Sequence, residues 1–131
     1  MSVKALGLAG VGVIALASSA LAHHSFAMFD AEKTITVTGT VKELEWTNPH
    51  SWLRVMVMDE KAGKQMQWAF EMGPPARQLQ RGWKHDSLKP GDKVTLEMHP
   101  LRDGSRGGQL LNATLPDGRK VGGAGAPNLQ E

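Results

Sequence analysis

The sequence predicts a mainly β protein: a small OB-like, five-stranded Greek-key barrel with one short helix between strands 3 and 4. Segments in which apolar and polar residues alternate are separated by turns rich in glycine, proline and asparagine. Three such segments, a short helical stretch and two further segments follow one another, which is the element order of the OB fold. The first segment is long, and its apolar residues change parity midway. Alternation and turns alone also fit another small β-sandwich.

Residues 1–22 have the pattern of a cleaved secretory signal peptide. Lys4 gives a positive start, and an uncharged, mostly apolar run follows from Ala5 to Ala17. This run is shorter than the roughly 20 residues that a spanning helix needs. Small residues then permit cleavage after Ala22, the better match, or after Ala20. We therefore predict a periplasmic or secreted bacterial location, with no membrane span after signal removal.

Composition limits what the mature chain can be. Residues 23–121 form one predicted barrel domain, and residues 122–131, which have little apolar content, form a predicted disordered tail. The absence of cysteine excludes disulfides and thiolate zinc sites. The 15 basic and 13 acidic residues nearly balance, so nucleic acid is not an expected partner. A small ligand or an envelope protein is the expected partner.

The predicted strands follow the alternation of apolar residues. They are 34–46, 51–58, 65–72, 93–99 and 109–115, with a short addition at 119–121. In the first strand Val37 and Val41 share one parity and Leu44 the other, which predicts a bulge or bend between Gly39 and Glu43. The helix is predicted to begin at Pro75, because proline suits the first turn of a helix.

Four motifs support a family resemblance. They are His23-His24-Ser25-Phe26, the turn from Glu45 to Trp52 (Glu-Trp-Thr-Asn-Pro-His-Ser-Trp), Leu88-Lys89-Pro90-Gly91-Asp92, and His99-Pro100-Leu101-Arg102-Asp103-Gly104. Together these motifs resemble a family of small exported bacterial proteins classed as a domain of unknown function. The resemblance implies a secreted or periplasmic β-barrel, and it implies no substrate, cofactor or catalytic residue.

Histidines suggest a metal site. Cleavage after Ala22 makes His23 the first residue, so that its α-amino and imidazole nitrogens can chelate one ion. Nitrogen ligands favour Cu(II), and the candidates for further ligands are His24, His50 and His99. Methionines on the strands, Met56, Met66 and Met98, are candidate thioether ligands for Cu(I). The alternative interpretation is a solvated histidine terminus with methionines that fill the core.

Aromatic residues suggest a second kind of site, for a ligand other than a metal. The chain has four tryptophans and no tyrosine. OB-type barrels bind oligonucleotides or oligosaccharides on the face of strands 2 and 3 and on the adjoining loops. The candidate ligand-binding residues are Trp46, Asn48, Trp52, Arg54 and Trp68. The alternative interpretation places at least two of the tryptophans in the core.

Enzyme activity is not indicated. The sequence has no Gly-x-Ser-x-Gly, no cysteine nucleophile and no His-Glu-x-x-His. Glu43, Glu45 and Glu71 are candidates to pair with a histidine as acid and base, but sequence does not fix which one meets it. The prediction is an exported binding protein, with copper as the candidate cofactor.

Overall fold

The computed structural model describes residues 26–123 and confirms a mainly β protein. A 3-10 turn, Phe26–Met28, precedes the strands β1 (Ile35–Glu45), β2 (Trp52–Asp59), β3 (Lys64–Glu71), β4 (Lys93–Pro100), β5 (Gly107–Thr114) and β6 (Lys120–Gly122), and the helix α1 (Pro75–Gln80) lies between β3 and β4. The predicted signal peptide, His23, His24 and residues 124–131 lie outside the described residues.

Five of the strands close into a barrel. The long β1 pairs with β2 through its second half and with β4 through its first half, and β4 pairs with β5. A parallel pairing of β5 with β3, in which Ala69 lies opposite Gly107, completes the circuit. This closed arrangement, with α1 between β3 and β4, confirms the predicted OB-like architecture.

The predicted irregularity in β1 is a bulge between Val41 and Glu43. One extra residue on β1 lets apolar side chains of both parities turn inwards. Val41 is accordingly buried, and Leu44 packs against the same core from beyond the bulge. The strand can therefore bend from its pairing with β4 to its pairing with β2.

The barrel interior is filled by alternate residues of each strand. Leu53, Val55 and Val57 of β2 are buried, as are Phe70 of β3 and Leu96 of β4. The intervening residues of β2, including Trp52 and Arg54, therefore face outwards, because side chains alternate across a strand.

The segment after helix α1 is hydrogen-bonded to β6. Trp83, which follows α1, is buried and donates from Nε1 to the carbonyl oxygen of Gly122 at 2.7 Å. Gly123 N donates to Leu111 O at 2.7 Å, so the folded domain extends two residues beyond its predicted end at Val121. Within residues 26–123, no helix has the length and apolar character needed to cross a membrane.

Candidate functional site

The turn between β1 and β2, residues 46–51, is fixed against the end of β3. It contains a cis peptide bond between Asn48 and Pro49, and Thr47 Oγ1 donates to the carbonyl oxygen of His50 at 2.6 Å. Ser51 extends the pairing of β2 with β3, since its N donates to Gly73 O at 3.0 Å and its O accepts from Met72 N at 2.9 Å. These bonds hold His50 over the last residue of β3.

His50 donates a hydrogen bond to Glu71 there. His50 Nδ1 lies 3.1 Å from Glu71 Oε1, and the Glu71 side chain is only 7% exposed whereas that of His50 is 27% exposed. An ionised carboxylate only accepts hydrogen bonds, so Nδ1 is the donor, and in the neutral form of the ring Nε2 carries the lone pair. Histidines that ligate metals are held in this way by an outer carboxylate.

Glu71 belongs to a row of residues that crosses all five barrel strands. Glu45 lies opposite Trp52, Trp52 opposite Glu71, Glu71 opposite Gln109, and Gln109 opposite His99. We call Glu45, Trp52, Glu71, Gln109 and His99 the outer row. Their neighbours Leu53, Phe70, Leu110 and Met98 are core residues, so the outer row faces away from the core. Glu71 and Gln109 are nevertheless only 5% and 6% exposed.

His99 is oriented by a backbone group. Its Nδ1 lies 2.8 Å from Lys33 O. A carbonyl oxygen only accepts, so Nδ1 donates, and in the neutral form of the ring Nε2 carries the lone pair. Two strand spacings separate His99 from Glu71 along the outer row, about 10 Å between Cα atoms.

The N-terminal arm, residues 26–29, lies beside the end of β4. Phe29 forms an isolated antiparallel bridge with Leu101, and Met28 O accepts from Arg102 N at 3.0 Å. Leu101 is two residues beyond His99. The described chain therefore begins close to His99, and His23 precedes the first described residue by three positions.

The candidate ligand-binding residues divide between two faces. Trp52 and Arg54 face outwards, but Trp68 lies opposite the buried Val55 and packs against the core. The prediction that Trp52, Arg54 and Trp68 share one face therefore does not hold. Paired residues lie on the same face of a sheet, and Trp52 pairs with Glu71, so Trp68, which is three positions before Glu71, lies on the opposite face. Asn48 is exposed in the turn.

Trp46 packs against the core and contacts His85, with 4.5 Å between ring centroids. The three methionines considered as ligands are also separated. Met98 is buried in the interior, Met66 pairs with the buried Val57, and Met56 pairs with Gln67 on the outer face. They do not form a thioether cluster.

Arg54 resolves which glutamate meets His50. Arg54 Nη2 donates to Glu45 Oε2 at 3.0 Å, and Arg54 Nε lies 3.9 Å from Glu43 Oε2. Glu43 and Glu45 are thus paired with Arg54, which leaves Glu71 for His50. The sequence makes all three glutamates candidates to pair with a histidine, and the strand register determines that Glu71 is the one that contacts His50.

The described residues alone do not assemble a metal centre. Between residues 26 and 123, no group of three or more histidine, aspartate or glutamate side chains is placed to hold an ion. An open cleft of about 420 Å³ lies between the α1–β4 and β5–β6 loops, and it is lined by charged residues such as Lys84, Asp86 and Arg119. None of the candidate site residues lines that cleft.

The closed five-stranded barrel with a histidine–carboxylate pair at its first turn defines a small OB-like β-barrel protein. The chain belongs to the family of unknown function DUF6152, whose model matches residues 10–111. This match confirms the resemblance to a family classed as a domain of unknown function, and it assigns no activity. Searches of curated proteins and of solved structures gave no significant match.

Proposed function

We propose that the protein is an exported binding protein for a transition-metal ion, with copper as the ion that its nitrogen donors favour. The observation that carries this proposal is the contact of 3.1 Å between His50 Nδ1 and the buried Glu71 carboxylate. That contact makes Nδ1 the donor to Glu71 and so supports Nε2 as the proposed ligating nitrogen. An orienting carboxylate also raises the basicity of the ring and strengthens its bond to a metal.

His99 and the N-terminal histidines supply the remaining donors in this proposal. His99 has the same tautomer as His50, fixed by the Lys33 carbonyl. From Phe26 back to His23 is three residues, which span at most about 10 Å. The first described residues lie near the end of β4, and this position supports the proposed role of His23 beside His99. His24 is a further donor on the same segment.

The test is a titration of the processed protein with one equivalent of Cu(II), followed by electron paramagnetic resonance. Mass spectrometry first establishes which residue begins the chain. With His23 at the terminus we expect nitrogen hyperfine structure, and we expect His50→Ala to reduce the number of coupled nitrogens. Glu71→Gln should weaken binding by about 10- to 100-fold, because the ring loses its orienting charge.

His85→Ala is the matched control, since it removes an exposed histidine that contacts Trp46 and lies outside the outer row. The control should leave the copper spectrum unchanged. A free-copper spectrum at one equivalent of protein would overturn the proposal. A chain that starts at Leu21 would exclude the amino-terminal chelate.

A further inference from the structure

We propose that the outer face of β1, β2 and β3 binds a neutral saccharide chain, with Trp52 as its stacking platform. This site adjoins the proposed metal site, with Glu71 at their boundary, and its ligand is not a metal. Its elements are a partly exposed ring, a fixed set of polar groups and a nearly balanced charge.

The platform lies at the centre of a small grid of outward-facing residues. Glu45, Trp52 and Glu71 form one line across the three strands, and Glu43, Arg54 and Ala69 form the next. Trp52 is partly exposed, whereas Leu53, Val55 and Val57, which point to the other side of β2, are buried. Aromatic rings offer a large, rigid contact area to the apolar face of a ligand.

The polar groups around the ring are held in place. Arg54 is clamped by Glu45 at 3.0 Å and faces Glu43 at 3.9 Å, and these three side chains are 31%, 35% and 58% exposed. Guanidinium donates hydrogen bonds and carboxylates accept them, so the grid offers both kinds of partner to a hydroxyl group. Because the pair is already ordered, a ligand that binds it loses less side-chain entropy.

The charge of the face selects a neutral ligand. Among the described residues of this face, Glu43 and Glu45 are paired with Arg54, and Glu71 is paired with His50. Lys42 is engaged by Gln67 Oε1 at 2.6 Å. A phosphate or uronate chain would meet more carboxylates than free cations, and nucleic acid binding needs a positive surface. A neutral polyhydroxyl ligand avoids this repulsion and still uses the donors and acceptors.

The experiment measures binding of cellohexaose, chitohexaose and maltohexaose by ¹H–¹⁵N NMR of the four indole groups, with Trp52→Phe used to assign the signal of that ring. We expect at least one neutral hexasaccharide to shift the Trp52 signal. Trp52→Ala should weaken that binding by about tenfold or more. Arg54→Gln should weaken it as well while leaving the ring in place.

Met58→Ala is the control, because Met58 is an exposed apolar residue of β2 outside the grid, and its affinity should equal that of the wild type. Unfolding of each variant is followed by circular dichroism. The proposal is overturned if none of the three sugars shifts the Trp52 signal at millimolar concentration. Tighter binding of a hexagalacturonate, or equal affinities for wild type and Arg54→Gln, would also overturn it. His50→Ala should retain sugar binding, which separates this site from the metal site.

Discussion

The contact between His50 and Glu71 explains why a histidine occupies position 50 in the turn between β1 and β2. Glu71 is a carboxylate with little contact with water, and a buried charge is costly unless it is paired. His50 supplies that pairing from a turn whose backbone is bonded to the end of β3. The pair therefore has a structural role as well as the proposed ligand role, and the two roles can be separated by measuring stability without metal.

The first prediction at this scale is a non-additive pair of substitutions. His50→Ala should lower the free energy of unfolding by about 1–3 kcal/mol, because Glu71 loses a hydrogen-bond donor while it stays buried. Adding Glu71→Gln should recover part of that loss, since a neutral amide is less costly to bury. Urea denaturation of the wild type, both single variants and the double variant in the presence of a chelator measures the coupling.

His85→Ala serves as the reference and should change stability by no more than about 0.5 kcal/mol, as exposed positions do. Strictly additive losses for His50→Ala and Glu71→Gln would contradict the pairing.

At the scale of elements, the contact of β6 with the segment after α1 depends on one indole. Trp83 Nε1 donates to Gly122 O at 2.7 Å in the interior. Trp83→Phe keeps an aromatic ring but removes this donor. We expect a loss of about 1–3 kcal/mol, with faster amide exchange at Lys120 and Val121, because a buried carbonyl loses its partner.

Trp46→Phe is the matched control. Trp46 Nε1 is also buried but has no hydrogen-bond partner among residues 26–123, so this substitution removes no such bond. It should cost less than Trp83→Phe and should leave exchange in β6 unchanged. Equal losses for the two variants would show that ring volume, and not the bond to Gly122, holds β6.

The sequence was most informative about the secondary-structure elements. The parity change between Val41 and Leu44 predicted the bulge in β1, because a strand with period two cannot otherwise send both residues inwards. The same reasoning did not determine which parity of β3 faces the core. Trp68 and Glu71 differ in parity, and only pairing with β2 shows that the tryptophan is inside and the glutamate outside.

At the scale of the whole molecule, a charged contact links the β4–β5 loop to the β2–β3 hairpin. Arg106 Nε donates to Asp59 Oδ2 at 2.6 Å, and Ala62 N donates to Asp59 Oδ1 at 2.9 Å. The hydrogen bond from Arg106, followed by that from the Ala62 backbone, lowers the pKa of Asp59 below its ordinary value of 3.8. The folded state thus binds this proton less readily than the unfolded state.

The linkage has a defined sign. The stability that Asp59 contributes is fully present above the unfolded pKa of 3.8 and is lost as pH falls through the lowered folded value. Asp59→Asn should therefore lower the urea midpoint at pH 7 and flatten its fall between about pH 4 and pH 2. Asp86→Asn, at an exposed aspartate without an ion pair among residues 26–123, is the control and should follow the wild-type profile. Parallel profiles for Asp59→Asn and wild type would refute the assignment.

The outer row depends on the closed barrel as a whole and could not be read from local sequence. Glu45 and His99 are 54 positions apart, and they share a row only because each strand between them is in a particular register. Sequence named His50, His99 and Trp52 as candidate site residues by residue type and turn position. It did not identify Gln109, which carries no distinctive motif and stands out only as a buried polar residue between Glu71 and His99.

The parallel pairing of β3 with β5 also dictates the order in which the chain can reach its final form. Residues 69–71 can pair with β2 early, but their pairing with β5 must wait until residues 107–109 have been synthesised. Phe29 likewise pairs with Leu101 only at a late stage. A nascent chain that ends before β5 presents open edges on both β3 and β4, which is the kind of surface that pairs with other chains. Because the last barrel strand closes the circuit, truncation within β5 should yield aggregation-prone chains, whereas loss of residues after Gly123 should not.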